Sequence, residues 1–310
     1  ATASGGTITQ NGGVLTVTGT SAFTTSTNDQ AITLGDTGNA LNGAVTFTTG
    51  GTAGNVTIDN GTTALDLAAS TISGTLIAIG GAAAGIVDSG NIVVAGDVTL
   101  TTDANNGVIN LNTLQQSAGD LVLTTNGTGD ATVVNNAAID FGTSNVGGKL
   151  IATASAGTIT QNGGALTVAG TSAFTTSAND ATITLTDAAN QFTGAVSFSS
   201  NDSDENNEEA VQLTNSIATI LGGSTESGSL VVISNSGKIS QTGALDVDTT
   251  SSFTAGTNEI DLSDANNEFA GAVSLSNSGA KNASLRNKNA LDLGTVAVGQ
   301  DFTVTPGGSL

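Results

Sequence analysis

The sequence of 310 residues contains no cysteine, histidine, methionine, tryptophan or tyrosine. Without cysteine and histidine, the chain has no thiolate nucleophile, no imidazole base, no Ser-His-Asp triad and no zinc site of the usual ligand types. The only catalytic groups of the usual kinds that remain are the carboxylates of Asp and Glu. We therefore predict a protein that is not an enzyme and that needs no organic cofactor.

Basic residues are also scarce, since five Lys and Arg stand against 26 Asp and Glu and give a formal charge of −21. A surface of this charge repels phosphate backbones and anionic lipids, and it favours solubility. The sequence also lacks an apolar stretch of about 18 residues, the length that a membrane-spanning helix needs. We predict no nucleic-acid partner and no membrane insertion.

The side chains that are present are small. Hydrophobic residues make up 37% of the chain but aromatic residues only 3%, beside 42 Gly and one Pro. This composition is too apolar for a disordered linker and too poor in bulk for a thick globular core. We therefore expect a folded chain with a narrow core.

The sequence begins with Ala1 instead of methionine. We expect either that a leader segment has been removed or that the sequence is a piece of a longer polypeptide. The absence of cysteine fits an extracellular protein that avoids redox chemistry.

The chain is a tandem array. Residues 6–49 align with residues 157–200, and 30 of 44 positions are identical. A further copy begins at Gly237, and a more diverged copy lies between the first two. Self-similarity at a fixed period is the signature of repeat architectures. We divide a single continuous solenoid, residues 1–310, into the modules 6–84, 85–156, 157–236 and 237–310.

The two ends of the chain fall at nearly the same point of the repeat. Residues 1–8 match residues 152–159, the joint between two modules, and Leu310 stops close to that same phase. We expect either a segment of a longer array or a subunit whose ends stack on further copies.

Within each module the apolar residues alternate in short runs, as in Val45–Phe47, Val56–Ile58, Leu65–Leu67 and Val98–Leu100. A period of two indicates strands, and the runs are separated by Gly, Asn, Asp and Ser. No capped apolar stripe of helical period is present. The sequence predicts an all-β solenoid of about 20 residues per coil, in which each coil pairs with its neighbours. Three phenylalanines at one repeat phase, Phe23, Phe174 and Phe253, are expected inside as a core ladder.

The repeat contains a recognisable pattern. Ile-Thr-Gln-x-Gly and Ala-Leu-x-Val precede Ile-x-Leu-x-Asp-Ala-x-Asn-x-Phe-x-Gly-Ala-Val, seen at 183–196, and Ala-Leu-Asp-Leu-Gly, seen within 289–294. This pattern resembles the repeats of large bacterial surface and secreted proteins of the filamentous-haemagglutinin type. The resemblance covers the whole chain at the level of the repeat. It implies a right-handed parallel β-helix, export to the bacterial cell surface, and a role as an adhesin or extracellular filament. It assigns no functional residue.

An acidic stretch at 201–209 interrupts the repeat pattern and offers candidate Ca²⁺ ligands, which are Asp202, Asp204, Glu205, Glu208 and Glu209. Carboxylate oxygens are the ligands that Ca²⁺ prefers. The stretch lacks both the EF-hand spacing and the glycine-rich nonapeptide of calcium-binding β-rolls. We favour a solvated loop over a Ca²⁺ site.

Three of the five basic residues, Lys281, Arg286 and Lys288, occupy the repeat phase of that acidic stretch in the last module. Opposite charges at one phase suggest that the acidic segment of one copy meets the basic segment of another and sets the register of assembly. The alternative is two independent surface segments, which we favour.

Two further alternatives come from the surface residues. Thr-x-Thr triplets at 7–9, 16–18, 46–48, 158–160 and 182–184 resemble the threonine ranks of ice-binding solenoids. Pairs of acids, Asp246 with Asp248 and Asp261 with Asp264, would suit a glycan-cleaving β-helix enzyme. Module 4 breaks the threonine ranks, and the acid pairs do not stand out from the acids of the other repeats.

The sequence as a whole predicts a non-catalytic structural shaft or filament segment of a bacterial extracellular fibre or adhesin. Its expected partners are copies of itself, stacked end to end or laterally, or flanking repeats of a longer chain. Host or environmental glycans are a further expected partner. Carbohydrate or ice binding is the alternative function.

Overall fold

The structure, a computed structural model, describes residues 1–201 and 210–308. All regular structure in these ranges is β-strand, and the described residues contain no helix. No helical segment long and apolar enough to cross a membrane occurs among them. The candidate Ca²⁺ ligands of the acidic stretch lie outside the described residues.

The strands are short and closely spaced. The first nineteen are β1 Thr2–Ala3, β2 Ile8–Thr9, β3 Thr16–Val17, β4 Ser21–Asn28, β5 Ile32–Leu34, β6 Ala40–Leu41, β7 Val45–Gly50, β8 Val56–Asp59, β9 Leu65–Leu67, β10 Ser70–Ile72, β11 Leu76–Gly80, β12 Ile86–Asp88, β13 Ile92–Val94, β14 Val98–Thr102, β15 Ile109–Gln116, β16 Leu121–Thr124, β17 Ala131–Asn135, β18 Ile139–Val146 and β19 Leu150–Ala154. The others are β20 Ile159–Val168, β21 Ser172–Thr176, β22 Ile183–Leu185, β23 Gln191–Phe192, β24 Val196–Ser199, β25 Val211–Asn215, β26 Thr219–Leu221, β27 Ser224–Glu226, β28 Leu230–Ser234, β29 Ile239–Gln241, β30 Leu245–Val247, β31 Ser251–Thr254, β32 Ile260–Leu262, β33 Glu268–Phe269, β34 Val273–Ser276, β35 Ala283–Asn287, β36 Leu293–Ala297 and β37 Phe302–Pro306.

The fold is a parallel β-solenoid of about 14 turns with about 22 residues per coil. One ladder of the first unit shows the winding, because Ile32 pairs with Val56, Val56 with Leu76 and Leu76 with Val98. The predicted solenoid is therefore confirmed, and its coil is slightly longer than the expected 20 residues. Right-handed winding stays a prediction.

Contacts divide the chain into two compact units, Ala1–Ala152 and Thr153–Leu310. In the first unit, one coil runs through β8, β9 and β10 before β11 returns to the ladder of β8. In the second unit, β22, β25, β28, β31, β34 and β36 form one ladder in succession. A second ladder there joins β26, β29, β32, β35 and β37.

The core consists of the alternate residues that the strand period turns inward. Along β7 and β9, the residues Val45, Phe47, Leu65 and Leu67 are fully buried, while the residues between them are more exposed. Alternation of this kind is the reason that short Thr- and Val-rich runs form strands here. The runs that the sequence predicted as strands are confirmed.

Buried phenylalanines pack against one another, both between neighbouring coils and within one coil. Phe23 stacks on Phe47 with ring centroids 5.8 Å apart, and Phe174 stacks on Phe198 at 6.0 Å. Phe253 instead meets Phe269 edge to face at 6.1 Å. The expected burial of Phe23, Phe174 and Phe253 is confirmed, but these three residues do not form one ladder.

The reason is a change of phase within the second unit. β21 and β31 match in sequence, yet β31 lies on the ladder of β22, whereas β21 pairs with β24 of the other ladder. The 80 residues from Ile159 to Ile239 span three coils, through Ile183, Val211 and Leu230, and then one further side. Because the repeat is not a whole number of coils here, equivalent residues of the last copy face another side.

Candidate functional site

An asparagine and a glutamine form an amide clamp at one corner of the third copy. Asn190 Oδ1 accepts hydrogen bonds from Gln161 Nε2 at 2.6 Å and from the N–H of Leu166 at 2.8 Å. In return, Asn190 Nδ2 donates to Gln161 Oε1 at 3.0 Å. It also contacts the carbonyl oxygens of Leu185 and Thr214, both at 3.3 Å. The buried amide therefore satisfies backbone groups that a turn would otherwise leave without partners.

The clamp recurs with the same bonds, as Gln10 with Asn39 in the first copy and Gln241 with Asn267 in the fourth. All three asparagines are at most 1% exposed. Each clamp also fixes an aspartate whose N–H donates to the glutamine oxygen; these aspartates are Asp36, Asp187 and Asp264. The repeated Gln, Asp and Asn of the sequence pattern are thus explained as one structural device.

A second group of buried asparagines bridges successive coils. Asn60 Oδ1 accepts the N–H of Leu41 at 2.8 Å, and its Nδ2 donates to the carbonyl of Leu41 at 3.0 Å and to that of Ala64 at 2.7 Å. The equivalent bonds are made by Asn135, Asn215 and Asn287. Each asparagine amide thus supplies the hydrogen bonds that a backbone N–H and carbonyl would otherwise receive from a neighbouring strand.

The clamp of the fourth copy borders an open polar cavity of about 230 Å³. The residues that line this fourth-copy pocket are Gln241, Thr242, Asp261, Ser263 and Asp264. The structure thus brings together Asp261 and Asp264, one of the two acid pairs that the sequence singled out.

The other acid pair lies on a different part of the second unit. Asp246 and Glu268 are register neighbours on β30 and β33, and Glu268 forms an ion pair with Lys288. Burial raises the pKa of Asp246; the negative charge of Glu268 adds to this rise and the positive charge of Lys288 opposes it. The hydrogen bond to Glu268 raises the pKa of Lys288. These groups make a charged rank across three coils.

Glu226 is the most unusual titratable residue of the described chain. Its side chain is fully buried at the end of β27, and neither carboxylate oxygen has a hydrogen-bond partner. Burial raises the pKa of Glu226 well above the ordinary value; the nearby Ser224 hydroxyl opposes this rise, and the negative charges of Asp246 and Asp248 on the next coil add to it. A carboxyl group in such surroundings is stable only when it holds its proton.

The predicted assembly residues occupy three different settings. Lys288 forms an ion pair with Glu268 of the same chain. Arg286 lies exposed on β35, and Lys281 lies exposed in the turn before β35. This basic segment follows β34, a strand of the β22 ladder. The proposed partner of the basic segment, the acidic stretch, lies outside the described residues, so the pairing of the two segments stays a prediction.

No group of three or more His, Cys, Asp or Glu side chains suited to a metal occurs in the described ranges. In the first unit, Thr9 of the triplet at 7–9 pairs with Thr33, and Thr33 with Thr57, before Ile77 ends this outward rank. In the second unit, the triplets at 158–160 and 182–184 lie side by side, because Ile159 pairs with Ile183. Gln212 pairs with Thr184 on the next coil, so these threonine ranks extend over two coils. Ice binding stays a prediction.

Two features of the structure do not follow from the sequence pattern. Glu226 occupies the third position of Ser224-Thr225-Glu226, where a period of two does not reveal which face is inside. The Gln–Asn clamps join residues 26 to 29 positions apart, so they become visible only once the coil register is known. The recurrence of Gln and Asn at fixed phases was the available signal.

Comparison with known proteins gives one match. A family model described as repeats of unknown function (DUF5649) matches residues 1–48, 53–125, 128–199, 208–276 and 280–310. No curated protein and no solved structure matches the chain. Because the matched segments cover most of the sequence and coincide with the β-solenoid, the chain belongs to the family of repeats of unknown function (DUF5649).

Proposed function

We propose that the chain is a structural shaft segment of a bacterial extracellular fibre or adhesin, and that it works without catalysis. The observation that carries this proposal is the repetition of one bonding scheme along each unit. Parallel ladders join coil to coil, and the buried amides of the clamps fasten the corners. Inter-coil hydrogen bonds run along the solenoid axis, so bending a unit would strain many of them together.

The resemblance to filamentous-haemagglutinin-type repeats supports the bacterial surface location and right-handed winding. The composition agrees with it, because a chain without cysteine and with a charge of −21 suits an extracellular polymer that must stay soluble. Flanking repeats of a longer chain, copies of this chain, and host or environmental glycans are the partners that this role implies.

Electron microscopy of the purified chain tests the mechanical role. Straight, unbranched rods or longer filaments with an axial repeat near 4.8 Å per coil are expected. Compact globular particles would contradict the proposal. Antibody labelling of intact and permeabilised source cells tests the location, and signal found solely after permeabilisation would refute a surface position.

A fibre formed from separate chains is a second version of this role. Each coil of a parallel solenoid pairs its backbone with the next coil, so copies stacked end to end would continue the ladders of β36 and β37.

A further inference from the structure

The fourth-copy pocket departs from the equivalent corner of the third copy in two ways. The turn after the clamp glutamine is one residue shorter, with residues 242–244 in place of 162–165. In addition, Asp261 stands where the third copy has Thr184. The hydrogen bonds between Gln241 and Asn267 are the same as in the third copy. The shorter turn and the replaced residue therefore change the surface of the corner and leave the clamp beneath it intact.

The pocket presents hydrogen-bond acceptors that the protein does not use. Asp261 Oδ1 accepts from Ser263 Oγ at 2.6 Å, and Asp264 Oδ1 accepts from the N–H of Asn266 at 2.8 Å. Within the described chain, Oδ2 of both aspartates has no hydrogen-bond partner. The ordering of one oxygen of each carboxylate fixes the direction of the other.

The floor of the pocket is rigid, because the amide of Gln241 is fully occupied. Its Nε2 donates to the carbonyl of Gly243 and to Asn267 Oδ1, both at 2.8 Å. Its Oε1 accepts from the N–H of Asp264 at 3.3 Å and from Asn267 Nδ2 at 2.9 Å. A ligand would therefore bind to the two carboxylates and the two hydroxyl groups above this amide.

The neighbouring strand, β35, carries hydrogen-bond donors. Asp261 pairs in register with Ser284 on β35, so the two side chains share the outer face. Leu262 pairs with Leu285 in the same ladder, which places Arg286, an exposed residue, on the strand position next to Ser263. The side chains that line the cavity thus offer carboxylate acceptors and hydroxyl groups, and Ser284 and Arg286 lie on the neighbouring strand.

We propose that the fourth-copy pocket binds a neutral saccharide, whose hydroxyl groups donate hydrogen bonds to the two carboxylates. A carboxylate accepts hydrogen bonds from two neighbouring hydroxyls at once, and a charged donor or acceptor strengthens such bonds. The volume of about 230 Å³ suits one sugar ring. This binding site goes beyond the mechanical role and does not depend on it.

Calorimetric titration of the full chain with methyl α-mannoside, methyl β-galactoside and N-acetylglucosamine tests the site. A ligand of about a dozen heavy atoms is expected to bind with a Kd on the order of 1 mM. Asp261→Thr, which installs the residue of the third copy, and Asp264→Asn are each expected to weaken binding about tenfold or more. Asp187→Asn, the equivalent change outside the pocket, should leave the Kd unchanged.

Parallel titrations with glucosamine and with CaCl₂ separate the hydroxyl chemistry from binding of a cation. The proposal is overturned if no neutral sugar binds below about 50 mM. It is likewise overturned if glucosamine or Ca²⁺ binds and the neutral sugars do not, or if Asp261→Thr binds as tightly as the unaltered chain. An unchanged circular dichroism spectrum of each variant shows that a loss of binding is not a loss of fold.

Discussion

Glu226 places a carboxyl group where the matching strand of the first copy, Ser70–Ile72, has the apolar side chain of Ile72. It points inward on β27 beside Val247, its register neighbour on β30. Taking an unpaired carboxylate out of water costs several kcal/mol, so the group keeps its proton instead. The coil that contains Glu226 is therefore expected to depend on pH more strongly than its neighbours.

Glu226→Gln is expected to stabilise the chain at neutral and alkaline pH by about 2 kcal/mol, because it removes the ionisable form from the core. The folded-state pKa of Glu226 lies above its ordinary value of 4.5. Its contribution to stability is therefore fully present below pH 4.5 and is lost as the pH rises through the folded-state pKa. Urea unfolding across a pH series measures the difference.

Glu259→Gln is the matched control for Glu226, because Glu259 is exposed. It should not alter the pH dependence of unfolding. Near pH 4 the Glu226→Gln variant and the unaltered chain should be equally stable. A stability curve of Glu226→Gln that runs parallel to that of the unaltered chain above pH 5 would show that Glu226 is not protonated in the fold.

The clamp asparagines are expected to contribute strongly to the stability of each unit. Asn39→Ala is expected to destabilise the first unit by about 2–4 kcal/mol, since it removes two hydrogen bonds of the Gln10 amide and leaves the N–H of Leu15 without a partner. Thermal unfolding measures the loss. Asn11→Ala is the control, because Asn11 is exposed and makes no hydrogen bond in the described structure. Equal melting temperatures for the two variants would contradict a structural role of the clamp.

At the level of strands and turns, one glycine of the pattern marks a close approach between coils. A Cβ atom on Gly43 would lie 2.5 Å from the carbonyl oxygen of Gly19, and one on Gly194 would lie 2.3 Å from that of Gly170. Both glycines belong to the Gly-Ala-Val step that starts a strand. Backbone atoms cannot move aside as a flexible side chain does, so the position excludes larger residues.

Gly43→Ala should therefore lower the free energy of unfolding by about 1–3 kcal/mol, the usual effect of overpacking. Gly35→Ala is its control, because no atom lies within 4 Å of a Cβ built there. Denaturant unfolding of the two variants measures the difference. If Gly35→Ala were as destabilising as Gly43→Ala, the close approach would not be the cause.

The strands were predictable because a period of two is visible in runs such as Val56–Ile58. The path of the strands around the coil was not. Ser172–Thr176 and Ser251–Thr254 match in sequence yet lie on different ladders. Local pattern determines which residues face inward, whereas the side on which a strand lies depends on the number of residues in every preceding turn. The pocket at Asp261 likewise lies where the turn is one residue shorter than in the third copy.

At the scale of the whole molecule, the net charge opposes the proposed assembly of copies. A charge of −21 makes copies repel each other at low salt. Lys281 and Arg286 are exposed basic residues with no ion pair among the described residues. Their predicted role in setting the register between copies, like Ca²⁺ binding by the acidic stretch, stays a prediction.

The proposed end-to-end stacking of copies can be tested at β37. β37 pairs with β35, and Val304 points to the same side as Leu285, its buried register neighbour. Val304→Lys should abolish end-to-end filaments, because an inward-pointing charge blocks the pairing of a strand edge. Thr305→Lys adds the same charge on the outward side and should leave filaments intact. Light scattering at high salt, where repulsion is screened, measures assembly of both variants. Filaments of Val304→Lys as long as those of Thr305→Lys would show that copies associate through another surface.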